Sequence, residues 1–171
     1  MVDAPALQRG FTLIELMVTL SVAAILVSIA VPNFQTFVMN NRMASQANDL
    51  ITALNMARSE AVKRAASVTV CASSNGTSCT GTWEQGWLVR DAAGTAIRVQ
   101  QALGGGSTLT GGTDVASTIT FASNGRTTIP STATDVTTTM TLCPPSPASV
   151  QGRAIQIERT GRSRVMAVAC P

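Results

Sequence analysis

The hydrophobic residues of this chain form three patterns, and the first is a continuous apolar run near the N-terminus. Residues 11–31, FTLIELMVTLSVAAILVSIAV, carry a single charge, on Glu15. About 20 apolar residues are enough for a helix to cross the hydrocarbon core of a membrane. A hydrophilic stretch, MVDAPALQRG, precedes the run, whereas a secretory signal has its cleavage site after the apolar residues. The pattern therefore predicts a membrane-spanning helix.

The second pattern is a helical repeat that begins after Pro32. Apolar residues recur three or four positions apart, which is the spacing of one helix face. They are Phe34, Phe37, Val38, Ala44, Ala47, Leu50, Ile51, Leu54, Ala57 and Ala61. We expect this face to pack on a sheet, and the charged residues of the same segment, Arg58 among them, to lie mainly on its solvated side.

The third pattern, beyond Arg64, consists of short β-branched runs separated by glycine turns. SVTVCASSNGTSC predicts a strand that enters an Asn-Gly turn, and GWLVRD and AIRVQQAL predict two strands around Ala93-Gly94. STITFASNGRTT predicts a further strand and turn, and residues 152–170 predict a last hairpin that turns near Thr160-Gly161. LGGGSTLTGGTD predicts a loop or a weak edge. The whole predicts an α+β fold, with one long helix packed on an antiparallel β-sheet.

The N-terminal segment RGFTLIELMVTLSVAAILVSIAVPNF resembles the class III signal of type IV pilins and type II secretion pseudopilins. The resemblance implies cleavage between Gly10 and Phe11 by a prepilin peptidase, N-methylation of Phe11, and pairing of Glu15 with the new amino terminus of a neighbouring subunit. A carboxylate near the bilayer centre costs about 2.5–3.5 kcal/mol, so an ammonium partner for Glu15 is physically reasonable. The alternative is an ordinary single-pass anchor.

The globular half extends this resemblance. ARSEAVKR followed by a strand, then WEQGWLVRD, then ITFASNGR, is similar to the GspH/FimT group of minor pilins and pseudopilins. The resemblance implies a type IV pilin-like fold with a cleaved leader at 1–10, a membrane and assembly helix at 11–33, and a globular domain at 34–171 that ends in a basic hairpin at about 143–171. It also implies a single-pass inner-membrane protein with a periplasmic domain, which then joins major and minor pilins in an extracellular pilus, near its tip.

Four cysteines in an exported chain predict two disulfides. Of the three pairings that four cysteines allow, we favour the local one, Cys71 with Cys79 and Cys143 with Cys170. A zinc site is the alternative, but the chain has no C-x2-C pair and no histidine. We therefore predict no metal, and the second disulfide would close a loop that holds the C-terminal arginines.

The net charge of +3 is located at the C-terminus. Residues 11–142 contain seven bases and seven acids, whereas residues 143–171 contain four arginines and one acid, Glu158. A basic patch on a neutral body favours an anionic partner, and a solvated surface is the alternative. Without histidine, a nucleophile elbow or a phosphate-binding loop, the sequence predicts no enzymatic activity and no cofactor.

The segment Gly161-Arg162-Ser163-Arg164 resembles a G-R-x-R motif near the C-terminus of FimT-type minor pilins associated with DNA uptake. The resemblance implies non-specific binding of extracellular DNA in natural transformation. On a strand, Arg162 and Arg164 would share one face about 6.5–7 Å apart, and Gly161 would supply the turn. Arg153 and Arg159 are candidate helpers.

Two other functions remain open at this point, a minor pilin that primes pilus assembly without binding DNA and a type II secretion pseudopilin of the H type. Arg126 would join the arginines if folding brought the Asn124-Gly125 turn close to them.

Overall fold

The computed structural model describes residues 10–129, 137–146 and 150–170. These residues form one α-helix and eight β-strands, together with two single-turn 3₁₀ helices. The elements are α1 Leu13–Arg64, β1 Val68–Ala72, β2 Trp87–Asp91, β3 Ala96–Gln100, β4 Thr108–Gly111, β5 Thr118–Phe121, β6 Thr137–Cys143, β7 Gly152–Glu158 and β8 Ser163–Val168. The chain divides into two compact units, residues 1–38 and residues 39–171.

In the first unit, α1 begins directly after Thr12. The Thr12 hydroxyl accepts a hydrogen bond from the Glu15 backbone N–H at 3.2 Å, which satisfies one free donor of the first turn. Over its N-terminal part, α1 is long and apolar enough to cross a membrane, with a mean hydropathy of 2.4. Its side chains there are exposed, and α1 continues through Pro32.

In the second unit, one face of α1 is buried. The predicted positions Ala47, Leu50, Leu54, Ala57 and Ala61 are confirmed, and the buried set also includes Met43, Gln46 and Ala53. The prediction was wrong for Phe34, Phe37 and Val38 at the end of the first unit, which are 67%, 63% and 38% exposed. A helical repeat identifies an apolar face, but it does not show how far along that face a sheet extends.

The first sheet has the strand order β3-β2-β1-β5, with antiparallel pairs throughout. The predicted β2–β3 hairpin is confirmed, and so is the strand before the Asn124-Gly125 turn. The strand predicted to enter the Asn75-Gly76 turn is also confirmed as β1, which pairs with β2 and β5. The Asn75 side chain accepts hydrogen bonds from two following backbone N–H groups, which closes the chain locally.

The second sheet has the order β4-β6-β7-β8, again antiparallel. The predicted β7–β8 hairpin is confirmed, and the glycine-rich stretch supplies the short edge strand β4. Strand β6 was not predicted. Thr138, Met140 and Leu142, at alternate positions, are buried. The neighbouring threonines hide this alternation of apolar and polar residues in the sequence.

The buried core lies between α1 and the two sheets, and its largest members include Leu50, Leu54, Trp87, Phe121 and Ile155. All of its residues fall between Met43 and Ile157, so residues 39–171 contain the whole core. The α+β prediction of a long helix on antiparallel sheet is confirmed, with two sheets in place of one. Both predicted disulfides, Cys71–Cys79 and Cys143–Cys170, are present.

Candidate functional site

The arginine segment begins in the tight turn between β7 and β8. The Gly161 N–H donates to the Glu158 carbonyl at 2.9 Å, and the Glu158 N–H donates to the Arg162 carbonyl at 2.8 Å. Gly161 has φ of 81°, in the left-handed region that glycine adopts without strain. This hydrogen-bond pattern is that of a three-residue hairpin loop closed by a glycine. Gly161 therefore supplies the turn that precedes the two arginines, as the sequence predicted.

The strand register places Arg162 and Arg164 on one face. Arg164 lies opposite Gln156, and its Nε donates to Gln156 Oε1 at 2.8 Å. Because side chains alternate along a strand, Arg162 shares this face with Arg164, whereas Ile157 points into the core from the other face. Both arginines are exposed. They occupy the outer face of the sheet at its free edge, on the second strand of the predicted hairpin.

The two candidate helpers are placed differently. Arg153 begins β7, and its Nη1 donates to the carbonyls of Gln151 at 3.2 Å and Gly152 at 3.1 Å. It lies five residues from Glu158, or about 17 Å along the strand, and alternation puts it on the opposite face. The structure does not bring Arg153 together with the arginine pair. Arg159 lies in the turn itself and is half-buried.

A second glycine turn packs against the first. Residues 122–126 repeat the same two hydrogen bonds, from Ala122 N–H to the Arg126 carbonyl and from Gly125 N–H to the Ala122 carbonyl, each 2.8 Å. The φ of Gly125 is 75°. A Cβ atom placed on Gly161 would lie well within 3.0 Å of the Gly125 carbonyl oxygen. The two turns are therefore in contact, and the exposed Arg126, directly after Gly125, lies beside the turn that precedes the arginine pair.

The side chain of Arg58, on α1, lies beneath both turns. Its Nε is 3.1 Å from the position of a Cβ on Gly161 and 3.3 Å from that of a Cβ on Gly125. We assigned Arg58 to the solvated side of the helix from sequence. Its position at the turns depends on contacts with Gly125 and Gly161, 67 and 103 positions further along the chain, for which the local pattern contains no signal.

The salt bridges among the described residues involve other cations than Arg58, Arg126, Arg162 and Arg164. Glu60 binds Lys63 at 3.6 Å and Arg64 at 2.6 Å, and Asp91 binds Arg64 at 3.1 Å. The hydrogen bond from Arg64 lowers the pKa of the Glu60 carboxyl. In the described ranges, no salt bridge reaches Arg58, Arg126, Arg162 or Arg164. The Glu158 carboxylate accepts a hydrogen bond from the Thr160 hydroxyl at 3.1 Å.

The rest of the site is structural. The Cys143–Cys170 disulfide joins the end of β6 to the residues just after β8, with a Cα–Cα distance of 5.9 Å. Trp83 and Trp87 are buried, so they form core and not an exposed stacking surface. Among the described residues, no cluster of three or more His, Cys, Asp or Glu side chains could hold a metal ion.

The N-terminal site is described from Gly10 onward. Gly10 and Phe11 precede α1 and are exposed, and Glu15 is exposed in the first turn of the helix. Residues 1–9 of the predicted leader lie outside the described residues.

An N-terminal helix that is apolar in its first half and packs on antiparallel sheet in its second half defines the class of type IV pilin-like subunits. The sequence profile described as type II transport protein GspH matches residues 46–161. A second profile, the prokaryotic N-terminal methylation motif, matches residues 6–31. Since the first match covers more than half of the chain, the protein belongs to the GspH family.

Solved structures give the same fold. The type IV minor pilin FimU of Pseudomonas aeruginosa, in its P21 crystal form, is 24% identical with a TM-score of 0.59, over 76% of this chain and 92% of that chain. The P65 form of FimU gives a TM-score of 0.55 at 24% identity, over 72% of this chain and 91% of that chain. No curated protein shows a significant match to the sequence.

Proposed function

We propose that this pilin-like protein is a minor type IV pilin that binds extracellular DNA through Arg162 and Arg164, for DNA uptake in natural transformation. The observation that supports this most is the position of two exposed guanidinium groups on one face of an edge strand, with no ion pair to a described carboxylate. Gly161 sets the turn that presents them, and Arg159 lies in that turn as a secondary contact.

The chemistry suits a phosphate backbone. A guanidinium is always charged and its planar donors match two phosphate oxygens, so each arginine can make a bidentate contact. Phosphate contacts carry no sequence information, and both tryptophans are buried away from any base. Binding should therefore be independent of sequence. With two to four arginines in contact, the slope of log K against log salt on duplex DNA should be about −2 to −4.

Assembly would depend on the other end of the chain. Prepilin peptidase would cut after Gly10, and Phe11 would be methylated, in line with the methylation-motif match over residues 6–31. The helix at 11–33 would hold the subunit in the inner membrane, with the globular domain in the periplasm, until Glu15 pairs with the amino terminus of a neighbour. The subunit would then become part of the pilus, near its tip.

The test is a titration of residues 39–171 with labelled duplex and single-stranded DNA by fluorescence anisotropy, from 20 to 200 mM salt. This fragment contains the complete core and both disulfides. We expect wild-type binding to weaken steeply with salt. An Arg162→Ala/Arg164→Ala variant should keep its fold, lose most of its affinity at low salt, and show a slope that is smaller by about 2.

The matched control is Arg90→Ala/Arg98→Ala, which removes the same charge from β2 and β3. These two arginines also lack a salt bridge within the described residues. If this control weakened binding as much as the Arg162/Arg164 variant, net charge and not the hairpin would determine affinity. Absence of wild-type binding at millimolar DNA would refute the DNA proposal.

A second candidate is a type II secretion pseudopilin, which the family description favours. The two functions differ in what a deletion strain loses. Loss of transformation with normal protein secretion supports the pilus function, whereas loss of secretion with normal transformation supports the pseudopilin. If the subunit only primes pilus assembly, its deletion would abolish piliation. Expression of the Arg162/Arg164 variant in the deletion strain would then restore both piliation and transformation.

A further inference from the structure

The Gly125 and Gly161 turns, which are in contact and are called the turn pair below, adjoin a second basic surface on α1. A shallow, open depression on the surface of α1, called the groove below, is lined by Asn55, Arg58, Ser59, Val62 and Lys63. These residues are spaced by three, four, seven and eight positions, so they form one face of the helix. The groove offers two cations, an amide and a hydroxyl, and none of its lining residues is acidic. This is the chemistry that a phosphodiester requires.

The groove is continuous with the arginine hairpin. Arg58 lines the groove and also lies beneath both glycine turns, and Val62 Cγ2 is 3.1 Å from the position of a Cβ on Gly125. Arg126 follows Gly125 and Arg162 follows Gly161, at the same position in two turns of the same construction. The hairpin, the turn pair and the groove therefore share one surface.

We propose that the DNA path does not end at the hairpin but crosses the turn pair at Arg126 and continues along α1 to Arg58 and Lys63. This rests on the proposed function and deepens it. The Cα rise from Arg58 to Lys63 is about 7.5 Å along the helix, and Arg162 and Arg164 are about 7 Å apart along the strand. A linear polyanion can use cations spread out in this way at the same time, whereas a small anion cannot.

Two acids, Glu60 and Glu158, lie near the proposed DNA path, and neither blocks it. Glu60 contacts Lys63 at 3.6 Å, but the Lys63 side chain is 77% exposed. Exposed ion pairs of this kind are weak, so a phosphate can replace the carboxylate as the partner of Lys63. Glu158 is the one acid in the hairpin turn, and its carboxylate accepts the Thr160 hydroxyl. The surface therefore keeps a clear excess of positive charge.

The test uses residues 39–171 in the same anisotropy titration. Arg126→Gln/Lys63→Gln changes two exposed side chains and should preserve the fold. We expect it to weaken duplex binding at least fivefold at low salt and to reduce the salt slope by about 1–2, since each lost phosphate contact removes about 0.9. Arg90→Gln/Arg98→Gln removes the same charge elsewhere and should change affinity less than twofold.

Arg58 supports the turns as well as the groove, so it needs a variant that separates the two roles. Arg58→Lys keeps the charge and should retain most of the affinity that Arg58→Gln loses. NMR titration gives an independent readout, in which DNA should shift the amide signals of residues 55–63 together with those of residues 158–164.

The outcomes distinguish the two proposals. If Arg162→Ala/Arg164→Ala abolishes binding while Arg126→Gln/Lys63→Gln behaves like the Arg90/Arg98 control, the extended path is wrong and the proposed function stands. If the wild type does not bind DNA, or binds equally well without Arg162 and Arg164, the proposed function is wrong. Shifts confined to residues 158–164 would also overturn the extended path.

Discussion

Replacing Gly161 with alanine tests the contact between the two turns, and the chain contains a matched control for it. Gly94 closes a turn of the same construction, in which Asp91 N–H donates to the Thr95 carbonyl and Gly94 N–H donates to the Asp91 carbonyl, each at 3.0 Å. The φ values of Gly161 and Gly94 are 81° and 86°. Alanine in this left-handed region costs about 1–2 kcal/mol at either position.

The two positions differ in what surrounds them. A Cβ on Gly94 would meet no atom within 4 Å, whereas a Cβ on Gly161 would meet the backbone oxygen of Gly125 well within 3.0 Å. Backbone cannot rotate away as a side chain can, so the neighbouring turn must move. Overpacking of this kind costs about 1–3 kcal/mol. Gly161→Ala should therefore lower the free energy of unfolding by about 2–5 kcal/mol, and Gly94→Ala by about 1–2 kcal/mol.

Gly125→Ala should fall between the two. A Cβ there would be 3.1 Å from Val62 Cγ2 and 3.3 Å from Arg58 Nε, and both are side-chain atoms that can yield. The assay is urea unfolding of oxidised residues 39–171, followed by the fluorescence of the buried tryptophans. For a domain of this size, each kcal/mol should also lower Tm by roughly 3–5 °C. Equal destabilisation by Gly161→Ala and Gly94→Ala would refute the turn contact, and with it the continuous surface.

Three further predictions concern the core, the disulfide and assembly. Cys143→Ser/Cys170→Ser should cost about 3.5 kcal/mol of stability in thermal unfolding, from the entropy of the closed loop; a loss below 1 kcal/mol would contradict that estimate. Trp83→Phe should cost about 1–3 kcal/mol in urea unfolding, because the Trp83 Nε1–H donates to the buried Val115 carbonyl at 3.0 Å; a neutral effect would show that this carbonyl finds another donor. Glu15→Ala should reduce the protein in sheared pili while mass spectrometry shows normal leader cleavage, and normal incorporation would contradict the pairing role.

Local sequence was enough to predict much of the fold. Turns were predicted at Gly94, Gly125 and Gly161, and all three glycines lie in turns with positive φ. The long helix and both disulfides were also predicted. The turns and the helix depend on residues that are close in the sequence. The disulfides were predicted because the N-terminal segment resembles an export signal, which is also a local feature.

What the sequence did not reveal depends on tertiary packing. Strand β6 alternates buried Met140 and Leu142 with threonines, so only two apolar residues mark its period in the sequence. The division into two sheets depends on which strands pair across long separations. Arg58 and Arg126 joined the candidate site only through the contact between two turns. Conversely, Arg153 belongs to the same charged segment as the pair, yet strand alternation separates it from them.

The Cys143–Cys170 disulfide has a mechanical consequence. A force on Arg162 or Arg164 acts on β8 near the turn that joins it to β7. Apart from this connection, β8 is held in the sheet by its hydrogen bonds to β7. An edge strand under load can peel away from either end. The covalent link from Cys170 to Cys143 attaches the far end of β8 to β6, so β6 also carries a load applied to β8. We expect a subunit with the bond reduced to keep the proposed binding surface but to yield at lower force.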